Sequence, residues 1–417
     1  MSKIVALILV VVMALSTLAS CKPNGGDKAE GKHEYEALNG TYNITMWVSE
    51  IDGVAGQFQE QIDAFEAKYP GIIINAEIEG VGENDAGSMV INDVSTAPDI
   101  YCFAQDQLAR LVQAAALAAP ASKVEAELKA ANDAGSIAAA SVGGKLYAYP
   151  LTSDNGYYMF YDSSLFTAED VESMEKIIEI CEANNVKFRY PVTNGWYNAG
   201  FFFATGCESV WTVDSTGNFS AVNDTYNSDK GLVAMKAMQK LTQSACFDAD
   251  NNVLIDSGVV ISGTWAVNDM KEFFGENYAA TDLPSFTVDG QTYHMGSFTG
   301  NKLMGVKPQA AGEENKAAVL SLLAQFLTNG DCQLQRFEEF GWGPSNLVAQ
   351  QSEAVQADPA LAALAKQAAY GRPQGQIHGD WWKIAEALGT QARDAKNDDE
   401  LKAYLSAYEN AIKALIK

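Results

Sequence analysis

The chain has 417 residues, of which 53 are acidic and 28 are basic, and its formal net charge is −25 at pH 7. Phosphates and anionic lipid headgroups repel such an acidic surface, so the composition argues against nucleic acids and anionic lipids as partners. The length allows two domains of ordinary size.

The first twenty residues predict a lipoprotein signal peptide. Lys3 precedes an apolar run at residues 4–18, which has the length of a signal-peptide core and is short for a membrane span. The run ends in Leu-Ala-Ser-Cys, which resembles the lipobox of bacterial lipoproteins and implies lipid on Cys21 after cleavage. An ordinary signal peptide that contains a cysteine is the alternative. Two acyl chains hold a protein stably, so we expect it on the extracytoplasmic face of the cell membrane.

Residues 21–40 predict a flexible tether, because polar residues and glycine dominate there without any apolar periodicity. The folded part begins with a strand pattern at 44–48, followed by apolar residues at helical spacing between 58 and 69. Further strand patterns lie at 72–78 and 99–104, and the second of these leads into another amphipathic helix.

The middle of the chain repeats this alternation, with a strand pattern at 146–150 and helical patterns at 169–182 and 230–241. From residue 346 onward nearly every segment is helical, with breaks at 371–375 and near Asn397. Strands that alternate with amphipathic helices predict an α/β fold built on mainly parallel sheets, here with a helical C-terminal tail.

Catalytic and metal-binding motifs are absent from the sequence. It has three histidines and no HExxH, GxSxG, P-loop or dinucleotide-binding pattern. Residues 248–252 begin like a calcium loop, but Val253 and Val259 replace the required Gly and Glu. With 53 acidic residues, carboxylate pairs arise by chance and cannot identify a glycosidase. We therefore predict no catalytic residue, no metal and no cofactor.

Five cysteines follow Cys21, scattered and never spaced as CxxC, which is against a disulfide framework or a zinc site. We expect small buried side chains, although one pair could form a bridge. They are Cys102, Cys181, Cys207, Cys246 and Cys332.

Several tryptophans lie beside glycines or at the ends of predicted elements, outside the apolar runs. A flat indole ring covers the apolar C–H face of a pyranose, while polar side chains satisfy its hydroxyl rim. Core packing is the alternative for each tryptophan, and we favour it for Trp47, which ends a strand pattern. The residues are Trp47, Trp196, Trp265, Trp342, Trp381 and Trp382.

Segments spread in order along the chain resemble the maltose/maltodextrin-binding proteins, which belong to the extracellular solute-binding proteins of carbohydrate ABC importers. These segments are ITMW at 44–47, APDIY at 97–101, FAQD at 103–106, GKLYAYP at 144–150, ISGTWA at 261–266 and GDWW at 379–382.

The resemblance implies a two-lobed, periplasmic-binding-protein-like fold with crossing hinge connections near residues 153, 298 and 345. Lobe 1 would comprise 41–153 and 299–345, and lobe 2 would comprise 154–298 and 346–417. The ligand would lie between the lobes, whose closure signals occupancy to the importer.

The resemblance also implies site residues, position by position. Phe103 would stack on the sugar and Asp106 would accept hydrogen bonds from hydroxyls, while Gln107 stands where the family often has Arg. Asp154 or Asn155 would supply a polar contact at the hinge. The remaining expected ligand-binding residues are the aromatics Trp196, Tyr197, Trp265 and Trp382, and the first-loop carboxylates Glu50 and Asp52.

The function implied by the resemblance is capture of oligosaccharides, most simply malto-oligosaccharides, by a monomeric receptor that delivers them to ABC importer permease subunits. Two alternatives come from other classes. One is a surface carbohydrate-active enzyme, and the other is a receptor for a different oligosaccharide or for a non-sugar solute such as a peptide or a polyamine.

Overall fold

The computed structural model describes residues 35–416, so the predicted signal peptide, Cys21 and most of the predicted tether lie outside the described residues. Within 35–416, every helix is too short or too polar to cross a lipid bilayer. The five cysteines of this part of the chain are buried and unpaired.

The described residues contain eighteen strands. In chain order they are β1 (Gly40–Val48), β2 (Ile72–Gly80), β3 (Ile100–Ala104), β4 (Ser141–Val142), β5 (Lys145–Leu146), β6 (Tyr149–Thr152), β7 (Tyr158–Asp162), β8 (Lys187–Arg189), β9 (Ser209–Val213), β10 (Phe219–Asp224), β11 (Phe247–Asp248), β12 (Ser257–Ser262), β13 (Tyr278–Thr281), β14 (Ser285–Val288), β15 (Gln291–His294), β16 (Ser297–Thr299), β17 (Lys302–Val306) and β18 (Gly371–Pro373).

Sixteen α-helices lie between or after these strands, within residues 35–416. They are α1 (Val54–Lys68), α2 (Glu83–Asn92), α3 (Leu108–Gln113), α4 (Ser122–Ala131), α5 (Ala134–Ala139), α6 (Met174–Asn184), α7 (Gly195–Ala204), α8 (Asp229–Thr242), α9 (Val267–Phe274), α10 (Glu314–Leu327), α11 (Gly330–Phe340), α12 (Leu347–Gln350), α13 (Glu353–Gln356), α14 (Pro359–Ala368), α15 (Gly379–Asp394) and α16 (Asp398–Lys413). Short 3₁₀ helices include Gln105–Gln107 and Thr264–Ala266.

Lobe 1 is built on a five-stranded sheet with the order β2-β1-β3-β17-β6. β1 lies parallel to β2 and β3, whereas β17 is antiparallel to β3 and β6. Ile44, Met46 and Val48 of β1 are buried in one core with Phe58 and Ile62 of α1. The period of two in the strand and of three to four in the helix turns both apolar faces toward that core.

Lobe 2 is built on a second five-stranded sheet, with the order β11-β8-β12-β7-β13. β8 is parallel to β11 and β12, and β7 is antiparallel to β12 and β13. All six residues of β12 are buried. Val259 and Ile261 belong to one apolar cluster and Val260 to another, which is why this strand is a continuous apolar run.

The two-lobed α/β prediction is confirmed, but the prediction of mainly parallel sheets is wrong. Each large sheet has two parallel and two antiparallel strand pairs. The antiparallel pairs involve β7 and β17, the strands through which the chain enters each lobe from the other. Strands placed by a crossing connection need not follow the direction that strand–helix–strand units impose.

The chain passes between the two cores three times. The passages lie between Leu151 and Tyr157, between Phe298 and Leu303, and after Trp342. The lobe boundaries predicted from the sequence, near 153, 298 and 345, fall within these passages, and we keep them as a proposal.

Candidate functional site

A cleft with a volume of about 600 Å³ lies between the lobes. Lobe 1 lines it with Ser49, Glu50, Ile51, Gly82, Glu83, Asn84, Asp85, Ser88, Ala104, Asp106, Arg110 and Lys302. Lobe 2 lines it with Asn155, Asn194, Trp196, Tyr197, Asn252, Trp265, Gln374, Gly379, Trp382 and Glu386.

The wall formed by lobe 2 is aromatic, and its rings come from three separate segments. Trp196 and Tyr197 lie in the first turn of α7, Trp265 in the 3₁₀ helix after β12, and Trp382 in the first turn of α15. The Trp196 ring centroid is 5.7 Å from that of Trp265 and 5.0 Å from that of Tyr197. The three indole rings are half-buried, so each keeps a face toward the cleft.

Helix starts explain how these rings reach the cleft. Asn194 is the N-cap of α7 and accepts a hydrogen bond from the Trp196 backbone N–H at 2.8 Å. His378 caps α15 through the Asp380 backbone N–H. Both caps lie at the edge of lobe 2 that faces lobe 1, so residues in the following turn project toward the other lobe.

The neighbouring pair Trp381 and Trp382 divides between core and cleft. Trp381 is fully buried, and its indole N–H donates to the Tyr408 hydroxyl at 2.8 Å. Trp382 is half-buried, and its indole N–H donates to Asp106 Oδ2 at 3.3 Å. Successive residues of a helix point about 100° apart, so one side chain enters the core while the next faces the cleft.

The wall formed by lobe 1 is charged. Asp106 lies in the 3₁₀ helix after β3 and accepts a hydrogen bond from Gln374 Nε2 at 2.8 Å. Arg110 lies one turn further along, with its Nη2 atom 4.0 Å from Asp106 Oδ2. Burial raises the pKa of Asp106 to about 6, against the opposing effect of the Arg110 guanidinium. Gln107 stands where the family often has Arg, and in this chain Arg110 brings a guanidinium to the cleft instead.

Lys302 and Glu83 are cleft residues that sequence reasoning missed. Lys302 Nζ lies 3.3 Å from Glu83 Oε1 and 5.7 Å from the centroid of the Trp265 ring. Both side chains are almost fully buried, so their opposite charges compensate each other. A lysine in β17 carries no motif, and only the fold shows that β17 begins at the cleft.

Gln374 was also missed, although the break at 371–375 marked its segment. Its Nε2 donates to Asp106, while its Oε1 accepts from Asn155 Nδ2 and from the Trp196 indole N–H, both at 3.2 Å. This buried amide thus connects lobe 1, the crossing segment and the aromatic wall.

The cleft brings together seven of the eleven ligand-binding residues predicted from the sequence. They are Glu50, Asp106, Asn155, Trp196, Tyr197, Trp265 and Trp382. Their contact with a ligand stays a prediction.

Four predicted residues lie elsewhere, and the contacts expected of them need correction. Phe103 is fully buried in the core of lobe 1, so its ring has no free face. Gln107 is buried and donates to the Glu83 backbone oxygen, which holds the 3₁₀ helix against α2. Asp52 is exposed outside the cleft lining. Asp154 is buried and accepts hydrogen bonds from the Thr264 hydroxyl and the Gly343 backbone N–H, both at 2.7 Å.

A larger cavity, of about 850 Å³, lies across the crossing segments from the cleft and includes Asp154 and Asn155 in its lining. No aromatic side chain lines it. Among the described residues, no group of His, Cys, Asp and Glu is arranged to hold a metal ion. The aromatic cleft is therefore the stronger candidate for a sugar site.

A family model described as bacterial extracellular solute-binding protein matches residues 60–363, more than half of the chain. A solved structure described as "with acarbose" is 26% identical, with a TM-score of 0.78 over 91% of this chain and 100% of that chain. Among proteins with curated functions, none matches this chain by sequence.

Two further solved structures have the same fold. The maltodextrin-binding protein MalE1 from L. casei BL23, without ligand, is 22% identical, with a TM-score of 0.75 over 91% of this chain and 100% of that chain. The maltose/maltodextrin-binding domain MalE from Bdellovibrio bacteriovorus, bound to maltotriose, is 18% identical, with a TM-score of 0.73 over 89% of this chain and 100% of that chain. The family resemblance read from the sequence is thus confirmed, and the chain belongs to the bacterial extracellular solute-binding protein family.

Proposed function

We propose that this protein captures malto-oligosaccharides between its two lobes and releases them unchanged. The observation that carries the proposal is the single cleft lined by Trp196, Trp265 and Trp382, three rings from distant segments opposite a charged wall. Similar structures described as bound to maltotriose or determined with acarbose support this ligand class.

The two walls suit the two kinds of surface on a glucose oligomer. Half-buried indole rings can cover the apolar C–H faces of successive pyranose units. On the opposite side, Glu50 and Asp106 can accept hydrogen bonds from hydroxyls, while Arg110 can donate them. No nucleophile or general acid is needed for this role, because binding and release leave the glycosidic bonds intact.

Closure of the lobes completes the site. Asp106 of lobe 1 contacts Gln374 and Trp382 of lobe 2, so these hydrogen bonds exist only while the lobes are close. A sugar that contacts both walls favours the closed arrangement, and an importer can recognise that shape. Small-angle scattering should show a smaller radius of gyration with saturating sugar, and an unchanged radius would argue for a rigid site.

Calorimetry against a panel of oligosaccharides tests the ligand class. Maltose, maltotriose and longer maltodextrins should bind, whereas cello- and xylo-oligosaccharides should bind weakly, because their ring planes follow a different path along the chain. Thin-layer chromatography of maltotriose after prolonged incubation should show no product. Hydrolysis would support a carbohydrate-active enzyme instead, and binding of only peptides or polyamines would contradict the proposal.

We further propose that lipid on Cys21 holds the protein on the extracytoplasmic face of the membrane, where it delivers sugar to the permease subunits of an ABC importer. The lipobox-like segment before Cys21 supports the attachment. In a bacterium fed labelled palmitate, the wild-type protein should incorporate label and the Cys21→Ser variant should not. Equal labelling of the two proteins would rule out attachment at this residue.

A further inference from the structure

The hairpin formed by β9 and β10 reaches from lobe 2 to lobe 1 outside the cleft. Its strands are fixed to lobe 2, since Trp211 of β9 and Phe219 of β10 both pack on His378, with ring centroids 5.7 Å and 5.3 Å from that of the imidazole. At its base, Asp224 Oδ2 accepts a hydrogen bond from the Tyr408 hydroxyl of α16 at 2.7 Å. The hairpin therefore moves with lobe 2.

The turn of this hairpin, residues 214–218, has a fixed conformation and is called the hairpin tip below. Asp214 Oδ1 accepts from the Thr216 backbone N–H at 2.8 Å and from the Asn218 backbone N–H at 3.0 Å. The Thr216 hydroxyl bonds to the same oxygen, and these hydrogen bonds keep the pKa of Asp214 below its ordinary value. A turn that is already ordered loses little conformational entropy on docking.

The hairpin tip docks on α3 of lobe 1. Gln113 Nε2 donates to Asn218 Oδ1 at 2.6 Å. Gly217 is buried although its neighbours in the turn are exposed, because α3 covers it. A Cβ atom at Gly217 would lie only 2.2 Å from the Ala109 backbone oxygen, so the close approach requires glycine there.

The docked helix is the one that follows Asp106 along the chain. The Ala109 backbone N–H donates to Gln376 Oε1 of the other lobe at 2.7 Å, so lobe 2 contacts α3 at both ends. Neither the hairpin tip nor Gln113 lines the cleft. The tip therefore contributes to the closed arrangement without touching the ligand.

We propose that Gly217 and Asn218 are positioning residues that set sugar affinity by stabilising lobe closure. The effect on sugar affinity rests on the proposed function, whereas the effect on lobe closure does not. If tight binding requires the closed form, the measured dissociation constant equals the intrinsic constant divided by the closed fraction. A loss of contact at the hairpin tip that lowers the closed fraction then raises the measured dissociation constant by the factor by which that fraction falls.

The test uses two glycine substitutions with the same backbone strain. Gly217→Ala places a methyl group against Ala109 and should weaken sugar binding roughly tenfold or more, with faster dissociation. Gly290→Ala is the control, since Gly290 has φ +80° against +89° for Gly217 and its Cβ would meet nothing within 4 Å. Both should lower the melting temperature similarly, and only the first should change affinity. Gln113→Ala, which removes one hydrogen bond, should weaken binding about threefold.

A distance measurement without sugar separates this proposal from the ligand assignment. Spin labels on Glu60→Cys and Lys402→Cys, which replace exposed residues of lobes 1 and 2, report the closed population. Gly217→Ala should reduce that population, whereas Gly290→Ala should not. This holds even if the wild-type protein binds none of the sugars. Equal distances and equal affinities in wild-type, Gly217→Ala and Gly290→Ala proteins would overturn the proposal.

Discussion

The two walls of the cleft present different chemistry to the same volume. Lobe 2 contributes aromatic rings, whose positions are set by helix starts packed on a large core. Lobe 1 contributes carboxylates and cations, positioned by strand ends and a 3₁₀ helix. Under the proposed function, lobe 2 would supply the stacking area and lobe 1 the recognition of hydroxyl groups. We infer that substitutions in lobe 2 change contact area, whereas those in lobe 1 change hydrogen bonding and its pH dependence.

The largest expected effect is the difference in stability loss between truncating Trp381, in the core of lobe 2, and truncating Trp382, in the cleft. Trp381→Ala should cost about 3–5 kcal/mol of unfolding free energy, because it removes a fully buried ring and the hydrogen bond to Tyr408. Trp382→Ala should cost much less stability and should weaken sugar binding, since that ring is half-buried in the cleft. Denaturant unfolding and calorimetry on both variants make the comparison. Similar stability losses with unchanged affinity would indicate that Trp382 packs the core of lobe 2 and does not contact sugar.

Trp265 offers the clearest test of stacking. Trp265→Ala should weaken binding by roughly 2 kcal/mol, about 30-fold, because a central half-buried ring is lost together with its contact to Lys302. Trp265→Phe keeps part of the stacking face and should recover part of the affinity. Normal affinity with a strongly reduced melting temperature would show that the ring packs the fold and does not hold sugar.

Asp106, in the charged wall, should make closure of the two lobes sensitive to pH. Burial raises its pKa to about 6 when the lobes are closed, and opening removes Gln374 and Trp382 and lets water reach the carboxyl. The closed form therefore binds the proton more tightly. The stabilisation of the closed form relative to the open form by this proton is complete below the ordinary pKa near 4. It is lost as pH rises through about 6.

For sugar-free protein with the same spin labels, the ratio of closed to open forms should fall roughly tenfold between about pH 5 and 7. Asp106→Asn keeps the shape and removes the titrating group, so its ratio should stay constant over this range. A wild-type ratio that rises with pH, or an equal change in both proteins, would contradict this role for Asp106.

The strands and helices of the two lobes were largely predictable, because most are amphipathic with a clear period. α8 was expected at 230–241 and spans Asp229–Thr242, while β1 was expected at 44–48 and extends back to Gly40. α7 was missed because its sequence, GWYNAGFFFA, is apolar on every side and buried, so it shows no amphipathic stripe. The β9–β10 hairpin was missed as well, because its two short strands are mostly exposed or half-buried and form no continuous apolar run.

For the candidate site, aromatic residues beside glycines were predictable, whereas the polar contacts depended on tertiary structure. Phe103 shows why a residue's role cannot be transferred from the family by sequence position alone. A shift of one residue along β3 decides whether a ring faces the core or the cleft. Gln374 and Lys302 carry no motif, and only the docking of both lobes brings them beside Asp106 and Trp265.

The smallest expected effect concerns the two carboxylates of the first loop, between which the sequence could not choose. Glu50 lines the cleft, so Glu50→Gln should weaken sugar binding about fivefold by replacing a charged acceptor with a neutral one. Asp52 is exposed outside the cleft, so Asp52→Asn should change affinity by less than about 0.5 kcal/mol. Each substitution removes one negative charge, which makes the pair a matched control for long-range electrostatics. Equal losses in the two variants would indicate that net charge near the entrance acts on the ligand, while a loss only in Asp52→Asn would place the sugar outside this cleft.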